Sequence, residues 1–232
     1  MPESNEIQKV IDDAYKANRN NNLGAPASYI PQLAKADPKL FGICFVTCSG
    51  DIYEAGQSKT TVPIESISKV FSAAMAADQL GTDVVDAKIG NMGSSLPFNS
   101  VIGAVLTPTH TINPFVNQGA IATTSLFYKK DKKAYRKKIL DNMNKFAGKK
   151  LSFNEAVYKS ESDTNATNMA LAYLLKSFDR FYGDVDDVVD VYTAQCSVSV
   201  SAKDLAMMAS VFANGGTQPV TKERIISEKS AE

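Results

Sequence analysis

Only one stretch of this chain reads convincingly as paired β-strands, and nearly everything after it carries a helical pattern. Phe41-Gly42-Ile43-Cys44-Phe45-Val46-Thr47-Cys48 leads through the turn residues Ser49-Gly50-Asp51 into Ile52-Tyr53-Glu54-Ala55. Its β-branched and aromatic content and its turn chemistry predict a hairpin. From residue 66 onward the spacing is mostly helical. A two-stranded hairpin is marginal alone and needs further strands or a covering helix. The order therefore predicts an α+β fold that displays fewer strands than its helices need to cover.

The helices are read from apolar spacing and end signals. Ile7, Val10, Ile11 and Tyr15 recur at helical intervals before Asn20-Asn21-Asn22 and Gly24. Val70, Phe71, Ala74 and Ala77 share a face of a helix closing at Leu80-Gly81. Residues 90–119, with Pro97, Pro108 and Pro114, read as loop-rich. Tyr135, Ile139, Met143 and Phe146 line a later helix that stops at Gly148. Ser152 and Glu155 stand at capping-box spacing. Leu171, Leu174 and Leu175 form a further stripe, and a last helix runs from Ser201 to a cap at Asn214-Gly215-Gly216. Without an internal repeat or long linker, residues 1–232 are expected to form a single domain with a helical lobe at about 67–215.

Charge narrows the function classes. Lys and Arg number 25 against 25 Asp and Glu, so no overall positive field favours nucleic acid or an anionic membrane. The polar start MPESNEIQKV does not resemble a signal peptide, and the apolar runs are shorter than a membrane span. Cys44, Cys48 and Cys196 lack metal-ligand spacing, and Cys48 and Cys196 read as small core residues. Reduced thiols fit a cytoplasmic location. A single histidine, His110, excludes a histidine-based triad. The basic run Lys129-Lys130-Asp131-Lys132-Lys133 with Arg136, Lys137 and Lys138 reads first as a solvated helix face and second as a polyanion site.

Ser66-Ile67-Ser68-Lys69 follows Pro63 at the start of a predicted helix. A serine hydroxyl is a weak nucleophile until a base removes its proton. At i and i+3 the two side chains share a helix face, and burial would disfavour the ammonium form of Lys69. The helix N-terminus adds N–H groups and partial positive charge where an oxyanion would form. That arrangement suits covalent acyl transfer, although composition alone predicts about two S-x-x-K matches and the chain holds one.

Longer blocks give this pattern its context. Pro63-Ile64-Glu65-Ser66-Ile67-Ser68-Lys69-Val70 strongly resembles the active-site segment of the serine-dependent glutaminases, relatives of the serine β-lactamases and penicillin-binding proteins. Tyr29-Ile30-Pro31-Gln32-Leu33-Ala34, Asn113-Pro114-Phe115-Val116-Asn117-Gln118-Gly119-Ala120-Ile121, the segment with Glu161, Asn165 and Asn168, and Tyr192-Thr193-Ala194-Gln195-Cys196-Ser197 are similar to family blocks in the same order.

The resemblance implies hydrolysis of L-glutamine to L-glutamate and ammonia. In that scheme Ser66 attacks the side-chain amide, Lys69 is the general base and Tyr192 passes the proton to departing ammonia. Glu161 faces the α-ammonium, Asn117 and Asn168 hydrogen-bond the α-carboxylate and amino group, and Tyr29 closes over the ligand. Taken singly, each binding residue also has a plain structural reading, as a loop asparagine, a solvated glutamate or a packed tyrosine. The implied fold is β-lactamase/transpeptidase-like, an antiparallel sheet with flanking helices beside the helical lobe. The resemblance also implies a homo-oligomer, a tetramer, with no metal or organic cofactor.

Family members continue with a further tyrosine, a K-S-G strand and a valine whose N–H completes the oxyanion hole. No K-S-G or K-T-G occurs in these 232 residues, so the C-terminal strands are expected to be missing. Two alternatives stand beside a glutaminase: a catalytically impaired binding or assembly module, and a penicillin-reactive enzyme on the same architecture.

Overall fold

The computed structural model describes residues 4–232. The chain begins with α1 (Ser4–Asn18), the strands β1 (Gly42–Val46), β2 (Ile52–Gly56) and β3 (Val62–Pro63), and a 3-10 turn at Glu65–Ile67. There follow α2 (Ser68–Leu80), α3 (Thr82–Lys88), α4 (Val101–Leu106), α5 (Asn117–Ser125) and α6 (Lys132–Ala147). Then come β4 (Ser152–Phe153), α7 (Glu155–Ser162), α8 (Ala166–Ser177) and α9 (Val185–Cys196). The last elements are β5 (Val198–Val200), α10 (Ala202–Ala213) and α11 (Glu228–Ala231). Two compact units emerge: the residues up to Pro63 with Met143–Ser160 and Ser199–Glu232, and Ile64–Asn142 with Glu161–Val198.

The first unit holds the predicted hairpin. β1 and β2 pair antiparallel with Phe45 opposite Tyr53 and Val46 opposite Ile52. Gly50 carries the turn at φ +99°, where a β-carbon would be strained. Val46 and Tyr53 turn inward beneath α1 and α10. Along α1, Tyr15 stacks on Phe41 with ring centroids 5.6 Å apart, but Val10, expected on the apolar stripe, is exposed. A second, three-stranded sheet of order β3-β5-β4 pairs Val62 with Val200. These strands are two or three residues long, too short to leave an alternation in the sequence.

Caps decide the helix ends. Ser201 caps α10 in a full capping box with Asp204, which also receives Lys149 at 2.7 Å. Gly215 and Gly216 follow α10 at φ +58° and +88°. The expected box at Ser152 is corrected: Ser152 lies in β4, and Asn154 Oδ1 accepts the Val157 N–H at 3.1 Å instead. Cys48 is also not a core residue; it is exposed, its thiol on the Ala213 carbonyl, whereas Cys196 is buried.

The second unit packs α5 against α2, α8 and α9. Every residue of α5 is buried. Thr123, Thr124 and Ser125 turn their hydroxyls back onto carbonyls of the same helix, satisfying polar groups that have no water to reach. Gly119 is obligatory there: a β-carbon would lie 2.6 Å from the Thr111 carbonyl oxygen and closer still to that of Asn113. The span read as loop-rich therefore contains α4 and the start of α5, and Asn117 is the first residue of a helix. α9 is rich in β-branched valine, but Asp184 caps it by accepting the Asp187 N–H, and Val185, Val188, Val189 and Val191 are buried.

The basic run meets acids from α9. Arg136 grips Asp190 through two nitrogens at 2.8 and 3.1 Å, and Lys132 reaches Asp187 at 2.9 Å. Lys137 pairs with Asp141, and Lys138 donates to Gln79 at 2.8 Å. His110 stacks on Phe178 at 3.8 Å, with Nδ1 2.8 Å from the Ala104 carbonyl.

Candidate active site

The second unit contains six of the seven expected site residues, Ser66, Lys69, Asn117, Glu161, Asn168 and Tyr192; Tyr29 belongs to the first unit and is 69% exposed. Ser66 sits in the 3-10 turn between Pro63 and α2 and is exposed. Lys69, in the first turn of α2, is only 3% exposed. Its Nζ donates to Asn117 Oδ1 at 2.7 Å and to the Phe115 carbonyl at 3.2 Å, and lies 5.6 Å from the centre of the Phe98 ring. Among the described residues, no hydrogen bond joins it to Ser66. Asn117 Nδ2 in turn donates to Asn168 Oδ1 at 3.0 Å. One chain of hydrogen bonds thus links the expected base to two expected binding residues on α5 and α8.

Electrostatics draw in the others. Burial pushes the Lys69 amine below its ordinary range, opposed by charge on Cys196 and Glu161. Glu161, at 8% exposure on α7, is pushed up to about 8 by burial first and the charge of Glu65 second, with Lys69 pulling the other way. The Tyr192 phenol on α9 is almost wholly buried and held well above its usual range by burial, by Cys196 and by Glu161. Tyr192 is therefore a neutral hydroxyl, able to donate or relay a proton. Asn165 precedes α8 without capping it through its side chain.

Two features escape the sequence reading. Gln195 and Cys196, quoted above only as a family block, fasten α9 to α2. Gln195 Nε2 donates to Ser68 Oγ at 3.2 Å, Ser72 Oγ donates to Gln195 Oε1 at 2.6 Å, and the Cys196 sulfur lies 3.9 Å from Ser68 Oγ. Glu65 is the other. Its backbone lies at φ +50°, a conformation that costs a non-glycine residue about 1–3 kcal/mol and persists only when its surroundings over-determine it. Its only sequence signal is an acidic residue directly before the expected nucleophile. Among the described residues, no group of three His, Cys, Asp or Glu is placed to hold a metal, and no helix is long and apolar enough to cross a membrane.

Known proteins share both the blocks and the architecture. The family model described as Glutaminase matches residues 24–232. A glutaminase of Colwellia psychrerythraea is 50% identical over 226 residues, 97% of this chain and 73% of that protein. Glutaminase 1 of Escherichia coli K12 is 38% identical over the same shares of each chain. Glutaminase 2 of Bradyrhizobium diazoefficiens is 39% identical, and this chain spans 35% of its length. A solved structure described as a probable glutaminase superposes with TM-score 0.96 at 37% identity, over 99% of this chain and 74% of that one. Mglu in its tris and glutamate form gives TM-score 0.90 at 31% identity, over 100% of this chain and 51% of that one. With the family model, the relatives and the fold in agreement, the chain belongs to the glutaminase family, on the β-lactamase-like fold that its sequence resembles.

Proposed function

We infer that this chain hydrolyses the side-chain amide of L-glutamine to L-glutamate and ammonia through a Ser66 acyl-enzyme. The observation that carries the reading is the setting of the Lys69 amine. A neutral amine has two hydrogens and one lone pair. The two acceptors, Asn117 Oδ1 and the Phe115 carbonyl, take both hydrogens and leave the lone pair to accept the Ser66 proton. Burial supports the neutral form that this role requires.

The steps follow. Ser66 Oγ attacks the amide carbon as its proton passes to Lys69. Tyr192 relays that proton to the leaving nitrogen, and ammonia departs. Water then attacks the acyl carbon and gives a proton to Lys69; the bond from that carbon to Ser66 Oγ breaks, Lys69 returns the proton to Ser66 Oγ, and glutamate leaves. Glu161 faces the substrate's ammonium, and Asn117 and Asn168 bind its carboxylate and amino group. A zwitterion calls for one anion and several uncharged donors, which is the inventory these residues supply. The relative Mglu, described in a glutamate form, and a probable Bacillus subtilis glutaminase complexed with 6-diazo-5-oxo-L-norleucine support an amino-acid ligand for this site.

The chemistry needs no metal or organic cofactor, because nucleophile, base and donors are all side chains. We take the two units together as one glutaminase domain that works in the cytoplasm as a homotetramer. Purified chain is expected to release ammonia from L-glutamine, and Ser66→Ala to abolish the release. No release from pure, folded chain would leave a binding or assembly module instead.

A further inference from the structure

One acidic side chain has no part in that chemistry. Glu65 stands directly before Ser66 in a left-handed backbone conformation, and its Oε1 is buried without a hydrogen-bond partner among the described residues. Ser66 and Ile67, which follow it, are exposed, so the turn sends this one carboxyl oxygen inward. Glu161 repeats the condition from α7, with more than nine-tenths of its surface buried and Oε2 likewise without a partner. An ionised carboxylate oxygen left unpaired away from water is costly, and two of them near each other cost more. The charge of Glu65 bears on Glu161, and the charges of both bear on Tyr192 and Cys196 of α9. Lys69 of α2 is the basic group facing Glu161, and its protonated form pulls the Glu161 carboxyl down.

We propose that Glu65 is a positioning residue that carries one proton jointly with Glu161, so that the pair offers a single negative charge to the amino group of the bound amino acid. The cluster supports this in three ways. Each carboxyl has one oxygen that a bound proton would neutralise. Burial pushes Glu65 up to about 7, and burial together with the charge on Glu65 pushes Glu161 up to about 8, so the two titrate in overlapping ranges. The left-handed turn at Glu65 is what points its carboxyl inward while Ser66 stays accessible. Fully ionised, the pair would set two charges against one ammonium; fully protonated, none.

The amino-acid ligand rests on the glutaminase reading, but the shared proton belongs to the ligand-free chain and is measured there. Infrared spectra of the full chain, stepped from about pH 5 to about pH 10, separate protonated from ionised carboxyls. Ordinary carboxylates are already ionised well below pH 7. The expected result is a protonated-carboxyl band that persists at pH 7 and disappears through the next units. In Glu65→Gln the band of the remaining Glu161 is lost at lower pH. Glu161→Gln gives the mirror result for Glu65 and keeps the test decisive if one variant does not fold.

No protonated carboxyl at pH 7, or a remaining carboxyl that titrates in each variant at the same pH as in the unsubstituted chain, overturns the proposal. Calorimetry of L-glutamine binding to Ser66→Ala in buffers of different ionisation enthalpy then reads the linked proton. Release at pH 7 that falls in Ser66→Ala with Glu65→Gln supports the pairing. Spectra as expected with no L-glutamine binding support the shared proton and refute the glutamine reading instead.

Discussion

Gly119→Ala tests how the base is held. The added methyl would meet backbone rather than a side chain, with the Thr111 carbonyl oxygen at 2.6 Å and the Asn113 carbonyl oxygen nearer still. No rotamer change relieves such a clash; α5 itself must move. Overpacking a filled interior costs about 1–3 kcal/mol, and contact with rigid carbonyls places this case near ~3 kcal/mol. For a chain of this size each kcal/mol lowers Tm by about 2–4 °C, so a drop of roughly 6–12 °C is expected by circular dichroism. Gly93→Ala is the control, because its β-carbon would meet nothing within 4 Å. That substitution is expected to change stability by no more than about 1 kcal/mol. Because Asn117 begins the displaced helix and holds the Lys69 amine, ammonia release at a temperature where Gly119→Ala is folded should also fall. Melting indistinguishable from that of Gly93→Ala would refute the steric reasoning, and full activity in a destabilised Gly119→Ala would refute the link from α5 to the base.

Further expectations follow from the same geometry. Lys69→Met keeps the length of the side chain without its base, and initial rates of ammonia release should fall by about 10²–10⁴-fold; a rate within threefold of wild type (on the order of 0.6 kcal/mol of barrier) would remove Lys69 from the chemistry. Glu161 is raised from 4.5 to about 8, so between those values the folded chain holds a proton that the unfolded chain has lost. Stability must then fall as pH rises through that window, and the fall should be shallower in Glu161→Gln, read by urea denaturation at several pH values. An equal slope in wild type and variant would contradict the burial argument. Arg136→Ala removes the two-nitrogen grip on the partly buried Asp190 and should cost about 1 kcal/mol in the same assay. Because Lys132 and Arg136 are already occupied by Asp187 and Asp190, inorganic phosphate should change ammonia release no more than sulfate at equal ionic strength; a specific phosphate response would revive a polyanion site there.

Legibility in the sequence follows how local each determinant is. The hairpin at Phe45 and Tyr53 is written in alternation and turn residues within fifteen positions, and it is found in register. The α10 cap at Ser201 and Asp204 is likewise a four-residue device. β3, β4 and β5 are too short for periodicity, and α9 hides behind valines whose β-propensity is overridden by burial. Asn154 displaces Ser152 as a cap because Ser152 is committed to a strand. At the proposed site, Ser66 and Lys69 are suggested by spacing, while Asn117, Glu161, Asn168 and Tyr192 are suggested only by resemblance. Glu65 is invisible by either route, because what sets it apart is a dihedral angle and, among the described residues, the lack of a hydrogen-bond partner for one oxygen.

Helix α5 has no wet side. Its nine residues, Asn117–Ser125, are all enclosed, and three of them are hydroxylated side chains bonded to their own helix. Such a segment offers protein engineering no neutral position: a solubilising charge, a bulky label or a handle for attachment would each have to be matched by a change in whatever wall it pushed against. Laboratory evolution of this scaffold should therefore gather its substitutions elsewhere and pass from parent to offspring with this axle unchanged.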